Sequence, residues 1–565
     1  MPSSTIGSKR RAVTRAIATP VALVVFVVFA APLVHPAAAQ APAAAPAAVP
    51  SRAARGTAPS HAQLLAAATD TANWLYATHD YSGGRYAPIR QITPANAHRL
   101  APVCAFQFGD VSTFQTNPII VDGVMIVTTS RVTAAIDART CRSKWRHTWK
   151  PRAAPQWPQN RGVAVKDGLA VRGTLDGFLV ALDLETGAEV WVRQVANSSE
   201  GATLTMPPMI YDDLVLVGPA GSENAVGGWI GAFRLTNGDP VWRFNVIPAK
   251  GEPGSETWRV PEGVVVGGGA LWTPMSLDVN AGLLFAATTN PAPDLAGGVR
   301  EGDNLYTNSI VALDVRTGRL VWYRQLVPHD THDWDVTQAG PLFDATVGGV
   351  SRQLMATAGK DGLLRVLDRA THEVLFATPL TTRENVDAPI TVAGTRACPG
   401  MLGGVEWNGP SYSPITRLLY TPAVDWCGSF KLDEELRHIP GKLYLGGDFE
   451  FDPPTAAKGW LTAVDALTGA VRWKYRSPRP MVAAVTSTAG GVVMTGELTG
   501  DFLVLDAATG NEVYRFNTGG PIGGGVATYS LGGTQYVAVT SGNPSPYWVG
   551  PNAGSPMIYV FALRP

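Results

Sequence analysis

The stretch Asn304–Asp335, NLYTNSIVALDVRTGRLVWYRQLVPHDTHDWD, reads as two different things joined end to end. Its first half is strand, turn, strand: alternating residues build SIVALD, Asp314 and Thr317 satisfy a turn, Gly318 supplies positive φ, and Trp322 follows on the next strand. Its second half crowds Asp330, Asp333, Asp335, His329 and His332 together. The first half recurs along the chain and reads as scaffold. The pattern apolar-x-Asp-x-x-Thr-Gly-x-x-x-Trp returns in clear copies ending at Trp145, Trp191, Trp473 and Tyr514, and in degenerate copies ending at Trp242 and Phe376. The aspartate position is held by Asp137, Asp183, Arg234, Asp314, Asp368, Asp465 and Asp506. Most gaps suit one four-stranded blade. The gap from Asp368 to Asp465 suits two, so a blade that has lost its turn is expected around residues 400–450. The expected class is therefore all-β, an eight-bladed β-propeller of four-stranded antiparallel blades with tryptophan-docking turns. The material from Trp74 to Ile92 is expected to pair with the late strand YVFALRP and close the ring. Unrelated β-sandwich domains would not repeat one turn motif this often.

The remainder of the chain frames this reading. There are 60 glycines and 16 tryptophans in 565 residues, as short strands, tight turns and indole packing require. Formal net charge is zero, which gives no reason to expect a nucleic-acid or anionic-membrane partner. Lys9, Arg10, Arg11 and Arg15 precede an apolar run, Val21 to Leu33, and the small residues Ala37-Ala38-Ala39. This is the pattern of an export signal cleaved before Gln40, with only a weak twin-arginine character; an uncleaved anchor helix is the alternative. The expected organisation is a signal peptide at 1–39, an Ala/Pro-rich linker at 40–64 and the propeller at 65–565. No later apolar run is long enough to span a membrane, so no stable span is expected after cleavage. Four cysteines in an exported chain argue for two disulfides. Three connectivities are possible; Cys104–Cys141 and Cys398–Cys427 are preferred because each pair lies within one local segment. There is no CxxC, no CxxCH and no vicinal pair, which removes a thiol-redox motif and covalent haem.

Several longer motifs then stand in order: WLYATHDYSGGRYAPIRQI from Trp74, TTNPAPD with GDNLYTNSIVALD, VPHDTHDWD, GKDGLLRVLDR, and GGGVATY followed by GTQYVAV. Over about residues 70 to 563 the chain resembles the quinoprotein alcohol dehydrogenases. The resemblance implies an eight-bladed propeller holding pyrroloquinoline quinone and one metal ion on its axis. It implies Glu223, Asn290 and Asp333 as metal ligands. Asp335 stands where lanthanide-dependent methanol dehydrogenases carry an extra ligand and calcium-dependent forms do not, so a lanthanide(III) ion is expected over Ca2+. Residues two apart on a strand face one side, so both carboxylates were expected to reach one ion. Trp272 matches the flat floor under the quinone, Arg161 a partner of a cofactor carboxylate, Thr205 a further cofactor contact, and Lys360 the cation beside the reactive quinone oxygen. Gln115 and Glu406 occupy cofactor-contact positions where a glutamate and an asparagine are common. Ala220 replaces a common serine, and Pro155 and Gln156 stand where many members place a vicinal disulfide, with Trp157 as a substitute ceiling. Cys398 and Cys427 match a family disulfide.

What the resemblance implies about chemistry is oxidation of a small alcohol. The ion polarises a quinone carbonyl, Asp333 takes the hydroxyl proton, hydride moves to the quinone, and Lys360 stabilises the developing charge. The chain carries no haem motif, so a separate acceptor is implied, most simply a periplasmic cytochrome c. Two other readings remain: a cofactor-free propeller used as a binding or assembly scaffold, and a quinoprotein acting on aldehydes, sugars or polymers.

Overall fold

The computed structural model describes residues 58–549 and 554–564. The expected signal peptide and most of the expected linker lie outside the described residues. Among the described residues no helix is long and apolar enough to cross a membrane. The end of the expected linker, from residue 58 on, is among the described residues. Residues His61–Leu65 form a short helix, because Ser60 and Gln63 close a capping box and Leu64 is buried in the core.

Eight sheets of four or five strands carry the fold. The first is Ile119–Val121, Val124–Thr128, Val132–Asp137 and Ser143–Thr148, paired antiparallel in chain order. Six further sheets repeat this meander up to Glu512–Asn517. In each recurring turn that carries the aspartate, its carboxylate accepts the backbone N–H groups two and three residues on, as Asp314 does from Arg316 and Thr317 at 3.1 and 2.9 Å; Arg234 holds the position in one turn. The aromatic then docks on the next sheet. The indoles of Trp145, Trp191, Trp242 and Trp473 donate to the carbonyls of Leu184, Leu235, Val315 and Ala507 at 2.9–3.1 Å. Contact with the neighbouring turn is close enough to demand glycine: a Cβ on Gly187, at φ +74°, would stand 2.5 Å from the Trp145 ring. In the degenerate copy His372 takes the glycine position, keeps φ at 62°, and stacks its ring on Trp322 at 4.3 Å.

These dockings run from each sheet to its successor. The eighth sheet closes the circle. It pairs Leu100–Gln107 with Met557–Leu563, then Thr534–Ser541 and Val526–Leu531, and its Tyr529 hydroxyl donates to Ala138 O in the first sheet at 2.5 Å. The architecture is a β-propeller, and its sheet count agrees with eight blades. Two details differ from expectation. Trp74–Ile92 does not pair with the late strand: Trp74 bridges Ile120, and Tyr86–Ala87 runs parallel to Thr486–Thr488. No extra blade lies at 400–450 either. Ser411–Ser413 and Leu418–Asp425 share a sheet with Lys458–Asp465 and Val471–Ser477, so they belong with the Asp465 turn. The long gap is an excursion between Asp425 and Lys458. Its strands Gly428–Leu432 and Gly447–Phe451 pair with each other and with Thr395–Ala397 as a separate sheet. The blade without a turn motif is the closing one, assembled from distant parts of the chain. The disulfides are Cys104–Cys141 and Cys398–Cys427, the local pairing. The first joins the closing sheet to the first sheet.

Candidate active site

The segment after Leu320–Gln325 leaves its sheet and folds around Asp330. The Asp330 carboxylate accepts the backbone N–H groups of His332 and Trp334, both at 2.8 Å, and the Asn308 amide at 2.9 Å. Buried Arg300 clamps the surroundings, donating to Pro293 O, Asp294 O, Asp330 O and Asn304 Oδ1 at 2.5–2.9 Å. Asp333 then adopts φ +57°. The expected strand at Asp333–Asp335 is thus absent, because the Asp330 turn takes the N–H groups that a ladder would need. The two carboxylates still converge, by way of this turn.

Glu223, from the short 3-10 turn Ser222–Asn224, meets them: ligand oxygens of Glu223, Asp333 and Asp335 lie within 4.8 Å of one another. Asn290 is joined to the group through its backbone N–H, which donates to Asp335 Oδ1 at 2.8 Å. Asp335 also accepts the Trp272 indole N–H at 3.2 Å. Lys360 bridges the pair, 2.8 Å from Asp333 Oδ2 and 3.1 Å from Asp335 Oδ2. Burial works against its ammonium, but Asp333 and Asp335 outweigh it and hold the Lys360 pKa well above the ordinary lysine value. Burial pushes Asp333, Asp335 and Glu223 upward; the Asp335 charge adds to the rise of Asp333 and Glu223, Asp330 adds to that of Asp335, and Lys360 pulls against all three. The side-chain oxygens Asp333 Oδ1 and Asn290 Oδ1 are buried without a hydrogen-bond partner. Buried acceptors left open beside three carboxylates suit a hard cation, which takes oxygen ligands of this kind.

A cavity opens over this group. Trp272, Arg161, Thr205, Gln115, Glu406 and Lys360 all line it, together with Glu223 and Asp335. Larger cavities exist, one of them 590 Å³ and lined by Asp330, His332, Asp361 and Arg365 among others, but Glu223, Asp335 and Lys360 line this one. The Arg161 guanidinium donates to Thr205 Oγ1 and Trp272 O, both at 2.9 Å, and lies 5.0 Å from the Trp272 ring. Burial lowers its pKa to about 9, partly offset by Glu406, and its Nε has no partner. Gln115 donates to Pro544 O at 2.6 Å and leaves its amide oxygen open. Ala220 and Trp157 line the cavity and Pro155 and Gln156 do not; the Trp157 indole donates to Asn224 at 3.1 Å. Asp333 and Asn290 do not line the cavity and join the group through Lys360 and Asp335, whereas the other expected cofactor and metal residues line it. Asp294 and Arg300 are not marked in the sequence, and Asp330 stands out there only as part of the crowded stretch, with no role of its own. Asp294 follows Asn290 by only four positions, whereas Arg300 binds chiefly backbone carbonyls and leaves no residue pattern.

Glu406 gives a testable pH effect. Burial raises its pKa from 4.5 to about 7, with Lys360 and Arg161 pulling the other way. The folded apoprotein keeps this proton in a range where the unfolded chain has already released it. Stability contributed by Glu406 is therefore present below about pH 4.5 and lost as pH rises through about 7. Glu406→Gln apoprotein should gain stability relative to wild type between about pH 5 and about pH 8, read as urea midpoints. An unchanged difference between the two pH values would contradict the assignment.

With this geometry in hand, a family model described as the beta-propeller domain of glucose/ethanol/alcohol dehydrogenases, of the pyrroloquinoline quinone type, matches residues 74–383. The chain belongs to the quinoprotein alcohol dehydrogenase family. It is 32% identical to the quinoprotein alcohol dehydrogenase PedH of Pseudomonas putida, over 83% of this chain and 86% of that protein. It is 28% identical to the lanthanide-dependent methanol dehydrogenase of Methylacidiphilum fumariolicum, over 86% of this chain and 87% of the relative. A solved europium-containing methanol dehydrogenase superposes with a TM-score of 0.82 at 27% identity, over 89% of this chain and all of that one. A second model, described as outer membrane protein assembly factor BamB, matches residues 457–543. That stretch holds the Asp465 and Asp506 turns and none of the axial carboxylates, so it reports the shared blade motif. As a quinoprotein alcohol dehydrogenase, the chain is an oxidoreductase.

Proposed function

We propose that this quinoprotein oxidises a small alcohol in the periplasm, with Asp333 as general base and one lanthanide(III) ion on the axis, and passes electrons to a separate cytochrome c. The observation that carries the reading is the meeting of Glu223, Asp333, Asp335 and Lys360 at the edge of a cavity that Glu223, Asp335, Lys360 and Trp272 line. When bound, the quinone supplies the two-electron acceptor and the cation a Lewis acid. Glu223, Asn290, Asp333 and Asp335 would hold the cation. Trp272 offers a flat apolar face, and Arg161, held by Thr205, offers a fixed guanidinium to a carboxylate of the cofactor. Glu406 and Gln115 each present an open acceptor to the same space. Asp333 takes the hydroxyl proton, and the Lys360 ammonium, bonded to its Oδ2, orients the carboxylate. Burial excludes water from this exchange and strengthens each charge contact.

The lanthanide preference rests on Asp335, which is buried and adds charge that a trivalent ion offsets better than a divalent one. The relatives named for lanthanide and europium support it. The export pattern at the N-terminus and the two disulfides support the periplasm. A cofactor-free scaffold has no reason to bury open carboxylate, amide and guanidinium groups around one cavity. The test is dye-linked alcohol oxidation by the purified chain loaded with pyrroloquinoline quinone and either La3+ or Ca2+. Activity with La3+ alone is expected. Activity with Ca2+ alone would reject the lanthanide assignment, and inactivity with both ions on alcohols would reject the reaction.

A further inference from the structure

Asp294 is a buried carboxyl group without a task in this reaction. Its side chain is 0% exposed and neither carboxylate oxygen has a hydrogen-bond partner. We propose that Asp294 is a fourth carboxylate of the axial cation site, reaching the ion through a coordinated water and enforcing its preference for a trivalent charge. The inference rests on the cation reading of Glu223, Asp333 and Asp335.

The backbone places Asp294 against that group. Pro291–Ala292, just after Asn290, pairs with Gly267–Gly268. That pair packs on the turn bearing Glu223: Gly268 N donates to Val226 O at 2.9 Å, and a Cβ on Gly267 would stand 2.2 Å from Ala225 O. One further segment spans both sides, for Tyr444 N donates to Glu223 O and Leu295 N to Leu445 O. Arg300 binds the Asp294 carbonyl and the Asp330 carbonyl, tying the same residue to the segment that carries Asp333. None of the Arg300 hydrogen bonds goes to the Asp294 carboxylate. Electrostatics agree: burial first, then Glu223, raises the Asp294 pKa, and Asp294 in turn contributes to raising that of Asp333. Asp294 is outside the trio of residues whose oxygens approach within 4.8 Å, which suits contact through water.

Charge supplies the preference. An unpaired buried carboxylate is costly and persists where something offsets it. Glu223, Asp294, Asp330, Asp333 and Asp335 face two cations, the Lys360 ammonium and the Arg300 guanidinium, which leaves three negative charges, while Glu406 is set against Arg161. A trivalent ion neutralises that excess and a divalent ion does not.

The test uses Tb3+ luminescence sensitised through Trp272, whose indole already touches Asp335, on full-length apoprotein, with competition by Ca2+. Asp294→Asn should weaken Tb3+ binding about tenfold or more and weaken Ca2+ binding less, narrowing the selectivity, while the apoprotein melts no lower than wild type. Unchanged Tb3+ affinity in Asp294→Asn beside a loss in Asp335→Asn would overturn the role of Asp294 and leave the proposed function standing. An Asp294→Asn apoprotein melting below wild type would also overturn it, because Asp294 would then be a structural partner. Wild type that binds neither ion saturably would remove the cation site itself, and this inference with it.

Discussion

Asp333→Asn is expected to lower kcat for alcohol oxidation about 10²- to 10⁴-fold, the range that a positioned general base contributes. Asparagine keeps the volume and one oxygen, so a cation keeps a ligand while the proton acceptor is lost. Lys360 bonds Oδ2 and so fixes the orientation of the carboxylate that receives the hydroxyl proton. The change should fall on kcat more than on KM, since the lost interaction belongs to the transition state. The measurement is steady-state oxidation with the La3+-loaded variant over a pH series. Wild-type activity should fall on the acid side as Asp333 takes up a proton, and the residual activity of the variant should lack that limb. A variant within a few-fold of wild type would place the base elsewhere.

Lys360→Met should destabilise the apoprotein by about 3–5 kcal/mol, the usual cost of removing one partner from a buried charge pair. Lys360, Asp333 and Asp335 are all nearly inaccessible, and the ammonium lies within 3.1 Å of both carboxylates. Methionine fills much of the volume, so the loss reads charge more than packing. The effect has a pH signature. Both carboxylates have pKa values raised in the folded state, so acid lets them neutralise themselves and alkali does not. The deficit should be larger near pH 8 than near pH 5, and adding La3+ should recover part of it, because the ion replaces the missing positive charge. Urea unfolding with and without La3+ measures both. Equal stability of variant and wild type near pH 8 would show that the bridge carries no net weight.

Much of this was legible before any coordinates. The Asp–Thr–Gly turn marks a blade because its hydrogen bonds are local, and the docking aromatic sits a fixed distance beyond it. That same locality explains the two errors. A blade closed by strands from distant parts of the chain needs no such turn, so nothing marked Leu100–Gln107 as the partner of Met557–Leu563. The excursion between Asp425 and Lys458 alternates like a blade because its strands also pair, only with each other. At the site, residues carried by long motifs all came together. The manner of their convergence was misjudged, since a left-handed Asp333 held by the Asp330 turn leaves no periodic trace. Arg300 was invisible for a related reason: its partners are mostly backbone carbonyls, which every residue possesses.

The sheet that closes the circle imposes an order on assembly. Leu100–Gln107 emerges early in synthesis, yet its partner Met557–Leu563 arrives about 450 residues later. Throughout that interval the early strand is an uncovered edge, the kind of surface on which chains misassociate. Cys104 lies in this strand, and Cys141, its disulfide partner, is only 37 residues away. Once the chain is in an oxidising compartment, the bond can therefore form before the last strand pairs. It tethers the waiting edge to the first finished sheet, so the nascent ring keeps a fixed berth for its final strand.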